Sequence, residues 1–109
     1  MALTRDYRES VRERMEREPA FRRALLQDAV EVMIGGEVDL AKALLRDDIN
    51  ASLGFAELGR LTGKSPKSLM RMFGPAGNPQ AANLFDVIRV LQQHEGIRLA
   101  VRTEATEAV

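Results

Sequence analysis

The sequence predicts an all-α domain of about six helices, and three observations predict it. Apolar residues recur three and four positions apart through the long segments, the spacing of one helical face. Glycine and proline fall mostly between those segments, where they act as stops and starts. Aromatic residues are only 5% of the chain, with four Phe, one Tyr and no Trp, so aliphatic helix packing must build the core. A length of 109 residues allows one domain with a single modest core. A composition 45% hydrophobic and 29% charged is globular rather than disordered.

The elements follow in order. Arg5 to Arg17 reads as a helix capped by Thr4, with Tyr7, Val11 and Met15 forming a thin apolar stripe. Its other positions are mostly Arg and Glu, including the well-oriented pair Glu13 and Arg17, so it can lie on a domain but cannot be its core. Pro19 suits the first turn of a second helix running to about Ile34. Phe21, Leu25, Ala29 and Val32 or Met33 give that helix its apolar face, and Gly35-Gly36 stops it. A third helix runs from about Val38 to Leu53, with Ala41, Leu44, Leu45, Ile49 and Leu53 inward, and Gly54 ends it.

Two short helices come next, Phe55 to Leu61 and Pro66 to Phe73, separated by a few residues around Gly63. After "GPAGN", Pro79 opens the last long helix with Asn78 as its cap. Leu84, Val87, Ile88 and Leu91 mark its buried face, and Gly96 ends it. "IRLAV" (Ile97 to Val101) alternates enough for one short strand, which either pairs with a second subunit or is not a strand. The tail beyond it reads as frayed. The expected organisation is a helical extension over residues 1–36, a helix-turn-helix domain over 37–96, and a strand or tail over 97–109.

Formal net charge is zero, but its distribution is uneven. From Ala24 to Leu58 there are two basic residues (Lys42, Arg46) against seven acidic ones (Asp28, Glu31, Glu37, Asp39, Asp47, Asp48, Glu57). From Gly59 to Phe73 there are four basic residues (Arg60, Lys64, Lys67, Arg71) and no acid. A concentrated basic element beside an acidic one points to a polyanion on one surface.

Several classes are set aside. The chain has no cysteine, which excludes disulfides and thiolate chemistry and fits a reducing cytoplasm. "MALTRDYRESVRERMERE" is charged where a signal peptide needs an apolar core, and no apolar run approaches membrane-spanning length. A cytoplasmic protein without a membrane partner is expected. His94 is the one histidine and sits in the last turn of a helix, where a cation is favoured anyway. Without a second His or any Cys, neither a metal site nor a nucleophilic site is complete. Asp47 and Asp48 are adjacent on a helix and point in different directions, so they do not make a carboxylate pair. No enzymatic activity and no cofactor are expected.

Gly63-Lys64-Ser65 resembles the end of a nucleotide-binding loop, but that reading fails on spacing. Such a loop needs G-x-x-x-x-G-K-[ST] after a buried strand. Here Gly59 is one residue too close to Gly63, "FAELGRL" is helical in pattern, and Pro66 removes a backbone donor after Ser65. A helix-turn-helix fits instead. Leu58 and the small Gly59 sit where the two helices cross, and Gly63 permits a left-handed turn. Leu69 and Met72 point back to the core, which leaves Ser65, Lys67, Ser68, Met70 and Arg71 outward and rich in donors. Lys64 is expected to contact a phosphate. The plainer alternative is that Lys64, Lys67 and Arg71 form an ordinary solvated face, and that Gly77-Asn78-Pro79 is a turn and cap.

The stretch "ELGRLTGKSPKSLMRMFGPAGNPQAANLFDVIRVL" resembles the lambda-repressor-like helix-turn-helix of HigA-type antitoxins, especially the small addiction-module antidote proteins. The likeness lies in L-A-x-x-x-G, S-L-Y-K-x-L and G-N-P elements and covers roughly Leu40 to Ile97. Gly59 stands where that group has Ala, Met70-Arg71 where it has Tyr-Lys, and Lys64 where it has an apolar residue. The resemblance implies that Ser65, Lys67, Ser68 and Arg71 contact DNA. It implies too that Asn78 and the helix start after it, including Gln80, touch a phosphate. Met70 offers an apolar contact such as a thymine methyl.

The implied function is that of a bacterial transcriptional repressor acting as the antitoxin of a toxin–antitoxin pair. Its expected partners are operator DNA, a small basic toxin of the RelE/HigB type and a second copy of the chain. The alternatives are an interaction module that keeps the shape without reading DNA, and a phage-type repressor with no toxin. Dimer contacts are expected at Ile97 to Val101, with Leu91, Ile97 and Leu99 as the apolar part. Toxin binding is expected within Ala2 to Asp48, through Asp28, Glu31, Glu37, Asp39, Asp47 and Asp48 and the stripe of the first helix.

Overall fold

A computed structural model describes residues 2–107 of the chain, with side chains at 9–10 and from 12 onward. Among the described residues there are six α-helices and no strand. They are α1 (Ala2–Arg17), α2 (Pro19–Ile34), α3 (Val38–Ala51), α4 (Gly54–Thr62), α5 (Pro66–Met72) and α6 (Ala81–Glu95). The all-α expectation holds.

One core joins α2 through α6. Leu26 and Ala29 come from α2, Leu45 and Ile49 from α3, Phe55 and Leu58 from α4, Leu69 from α5, and Val87, Val90 and Leu91 from α6. Each fully buried leucine contributes roughly 1.5–3 kcal/mol by leaving water. Phe73, just past α5, packs a tilted ring on Phe55 with centroids 6.4 Å apart. The first two helices do not share a role: α2 supplies core, whereas α1 lies outside it.

Some boundaries and faces differ from the expectation. Thr4 falls inside α1 rather than capping it. Of the apolar stripe on that helix, Met15 is buried, while the side chains of Tyr7 and Val11 lie outside the described residues. On α2 the fully buried positions are Leu26 and the expected Ala29, and Leu25 is half-buried. Phe21 instead holds the guanidinium of Arg14 over its ring at 5.0 Å, a cation–π contact between α1 and α2.

Of the two readings left open for Ile97 to Val101, the single chain shows the second: the segment is not a strand. Ile97 to Val101 has no ladder and runs back along the core, where Ile97 and Leu99 pack. The Leu99 N–H donates to Gln92 Oε1 at 2.7 Å, so a side chain of α6 supplies the acceptor that a neighbouring strand would have supplied. Leu91 is fully buried in this core, so it cannot be a contact between subunits.

A charged junction closes one end of the molecule. Arg22 of α2 donates from Nε to Glu95 Oε2 at 2.8 Å, and from Nη1 to the Met15 and Glu16 carbonyls at 2.9 Å. Arg23 adds a bond from Nη2 to the Glu95 carbonyl at 2.8 Å. The last carbonyls of α1 and the last residue of α6 are thus capped by one basic turn of α2. Beside this pair sits Asp48 of α3, fully buried, with neither carboxylate oxygen hydrogen-bonded. Burial first, and then the Glu95 carboxylate, push its pKa up to about 7 against the opposing pull of Arg22. Asp48 therefore does not belong to the acidic surface expected from the sequence.

Candidate nucleic-acid interface

The candidate interface is built on α4, the turn after it, and α5. Helix α4 ends because Gly63 takes a left-handed conformation, φ 71°, and its neighbour Lys64 donates its N–H to the Gly59 carbonyl at 3.2 Å. Gly59 is itself buried against this turn. A Cβ there would stand 2.6 Å from the Lys64 carbonyl oxygen and 3.3 Å from the Pro66 ring. The smallness expected at the helix crossing is thus set by the turn's backbone.

Ser65 caps α5, with its Oγ accepting the Ser68 N–H at 3.1 Å and donating to Ser68 Oγ at 2.9 Å. Pro66 follows at the first helical position. Leu69 is fully buried and Met72 packs against the core, as their spacing predicts. Lys67, Ser68, Met70 and Arg71 are exposed on the other side, Met70 at 54%.

The four bases of this segment are not equivalent. Arg60 is held by Glu57 through two hydrogen bonds, which keep the Glu57 carboxyl below its ordinary range. Lys64 reaches Asp86 of α6 at 3.5 Å and is only 22% exposed. Lys67 and Arg71 have no ion-pair partner among the described residues. The unpaired positive charge therefore concentrates on the outer side of α5.

Ser68 and Arg71 share a shallow cleft of about 230 Å3 with Met72, Gly77, Asn78 and Pro79. The structure thus brings together residues expected from both the reading helix and the G-N-P turn. Asn78, however, does not cap α6. That helix starts at Ala81, two residues after the expected Pro79, with Gln80 in the cap position, extended, and its side chain making no capping bond. Its first turn carries no acid, so no carboxylate of that turn neutralises its free N–H groups.

Two positioning residues were not legible as such. Lys42 and Arg46, one turn apart on α3, hold the loop between α5 and α6. The Lys42 ammonium, 5% exposed, donates to the Gly77 carbonyl at 2.7 Å and the Gly74 carbonyl at 3.2 Å, with Asp39 Oδ1 at 3.4 Å. Arg46 Nη1 donates to the Phe73 carbonyl at 3.1 Å. Arg46 acts on the carbonyl just past α5, where a cation is favoured, and Lys42 on carbonyls of the loop that follows. Their i, i+4 spacing on a helix was the available signal, but a pair of bases at that spacing is equally common on a solvated face.

No family model, curated protein or solved structure matches the chain.

Proposed function

We propose that the chain is a DNA-binding transcriptional regulator that reads the major groove with α5. The observation that carries this reading is the outward face of α5. There two unpaired cations, two hydroxyls and one apolar side chain stand together on a helix whose opposite side is locked into the core. Arg71 suits a bidentate contact to guanine, and Met70 suits a thymine methyl. Lys67 and the free N–H groups opening α6 suit phosphates on either side.

The wider reading is that of an antitoxin, lambda-repressor-like in fold, that represses its own operator and neutralises a small basic toxin of the RelE/HigB type. It rests on the resemblance of the helix-turn-helix segment. A homodimer belongs to it because one short reading helix binds weakly, whereas two linked half-sites about 34 Å apart reach useful affinity. Identification of a short basic protein in the neighbouring reading frame, and its inhibition by this chain, tests the antitoxin half.

For the DNA half, Arg71→Ala is expected to weaken operator binding by roughly 1–3 kcal/mol and to relax preference at one base pair. Lys67→Ala should weaken binding to all sequences and flatten the salt dependence by about one unit. Lys64→Ala should do less than Lys67→Ala, because its ammonium already faces Asp86. Titrations of the three variants across salt concentrations check the ranking. Unchanged affinity in both Arg71→Ala and Lys67→Ala would remove α5 from the interface.

A further inference from the structure

A carboxylate that is fully buried and makes no hydrogen bond through either oxygen needs a reason, and Asp48 is such a group. The hydroxyl one turn on, Ser52 Oγ, donates to the Asp48 carbonyl at 2.7 Å and leaves the carboxylate untouched. The charges facing it are Arg22 from α2 and Glu95 from α6, which already pair with each other at 2.8 Å. Arg23 spends its bonds on the Glu95 carbonyl from an exposed position. Helix α4 buries only Phe55, Leu58 and Gly59. Helix α1 brings Met15 and two carbonyls, while its described charged side chains are exposed. One largely buried cation thus serves two buried carboxyls, and the charges balance only while Asp48 keeps its proton.

The element least anchored at this junction is α1. Among the described residues it buries one side chain, Met15, which stands outside the core joining the other five helices. It is otherwise held by the Arg14 guanidinium over the Phe21 ring, and by Arg22 Nη1 on the Met15 and Glu16 carbonyls at 2.9 Å. That second hold uses the same guanidinium that faces Asp48. The connection to α2 is a single extended residue, Glu18, at φ −109° and ψ 100°. Pro19 follows it and cannot continue a helix from α1, so the joint between the two helices is a bend rather than a rod.

We propose that α1 is a strap that swings away from α2 and α3 about Glu18 once Asp48 gives up its proton. Opening lets water solvate the excess negative charge, and it frees two Arg22 N–H groups to turn to Asp48. Burial and the Glu95 carboxylate hold the Asp48 pKa at about 7 while the strap is closed, against 3.8 for an unperturbed carboxyl. The closed state therefore keeps a proton that the open state releases. Opening is least favourable below about pH 4, grows as pH rises, and levels off above about 7. The device is independent of DNA reading by α5.

Amide hydrogen exchange on the full chain tests it. Protection factors, corrected for the intrinsic pH dependence of exchange, are measured from about pH 5 to about pH 8. The amides of Glu13 to Arg17 in α1 are expected to be less protected than those of Leu45 and Leu91 in the core, which marks opening without unfolding. Their protection should fall by roughly tenfold or more across that range, and Asp48→Asn should reduce the fall to less than about twofold. Asp48→Ser, smaller and also neutral, takes the place of Asp48→Asn if the latter does not fold. Flat α1 protection in the wild type would overturn the proposal, since the strap would then open without regard to Asp48. So would α1 protection equal to that of Leu45 and Leu91 at every pH, because α1 would then leave only with the whole fold. A fall that persists in the neutral variants would assign the proton to another group and overturn it as well.

Discussion

Asp48→Asn is expected to stabilise the protein by roughly 4 kcal/mol near pH 8 and to change it little near pH 4. The carboxyl of Asp48 is fully buried without a hydrogen bond, and its pKa is pushed from 3.8 up to about 7. Folding therefore holds a proton that the unfolded chain releases above its ordinary carboxylate value. The stability this group allows is fully present below about pH 4 and is lost as pH rises through about 7. An asparagine has the same shape and stays neutral, so the variant escapes the loss. It leaves a buried amide unsatisfied, but the protonated wild type carries a comparable group at low pH, so the difference between the two proteins isolates the charge. Urea unfolding of both proteins across this pH range reads the effect directly. Parallel curves would show that Asp48 finds a partner in solution.

Gly77→Ala should be the most disruptive single methyl addition in the chain, at roughly 3–5 kcal/mol. A Cβ at Gly77 would press into the carbonyl oxygens of both Arg71 and Met72, which are backbone atoms that cannot rotate away. Moving the loop instead would pull the Gly77 carbonyl off Lys42 and leave a buried ammonium short of an acceptor. Gly74→Ala is the control. Its Cβ would stand 3.5 Å from the Arg71 and Met70 carbonyls, ordinary contact, so the variant should lose less than about 1 kcal/mol. Denaturation midpoints of the two variants decide the matter, and equal losses would mean that the loop is soft.

The helices were legible because periodicity and punctuation report directly on burial of one face. Gly63 was legible as well, since a short turn between two helices requires a residue tolerant of positive φ. The buried charges were harder. Asp48 occupies a position three residues after Leu45 on the inward side of α3, yet beside Asp47 it reads as one of two solvated acids. Glu95, four residues after the buried Leu91, carries the same ambiguity. Sequence periodicity marks the inward slot but not the partner that makes a charge tolerable there, because Arg22 lies on a different helix. The outward face of α5 was read correctly as a set, while the pairing of Lys64 and Arg60 with carboxylates depended on where α6 and the first turn of α4 fell.

The Arg22–Glu95 pair joins residues 73 positions apart. Closing a loop of that length loses more chain entropy than pairing neighbouring helices, so local pairs such as α2 with α3 form before it. The junction is therefore expected to form late in folding, after the barrier has been crossed. Interactions of that kind set how long the folded state persists rather than how fast it is reached. Weakening Glu95 should accordingly steepen the loss of folded molecules with time, visible in the unfolding arm of a stopped-flow experiment, while the refolding arm stays where it was. On this expectation the Arg22–Glu95 pair is a clasp that sets lifetime rather than folding speed.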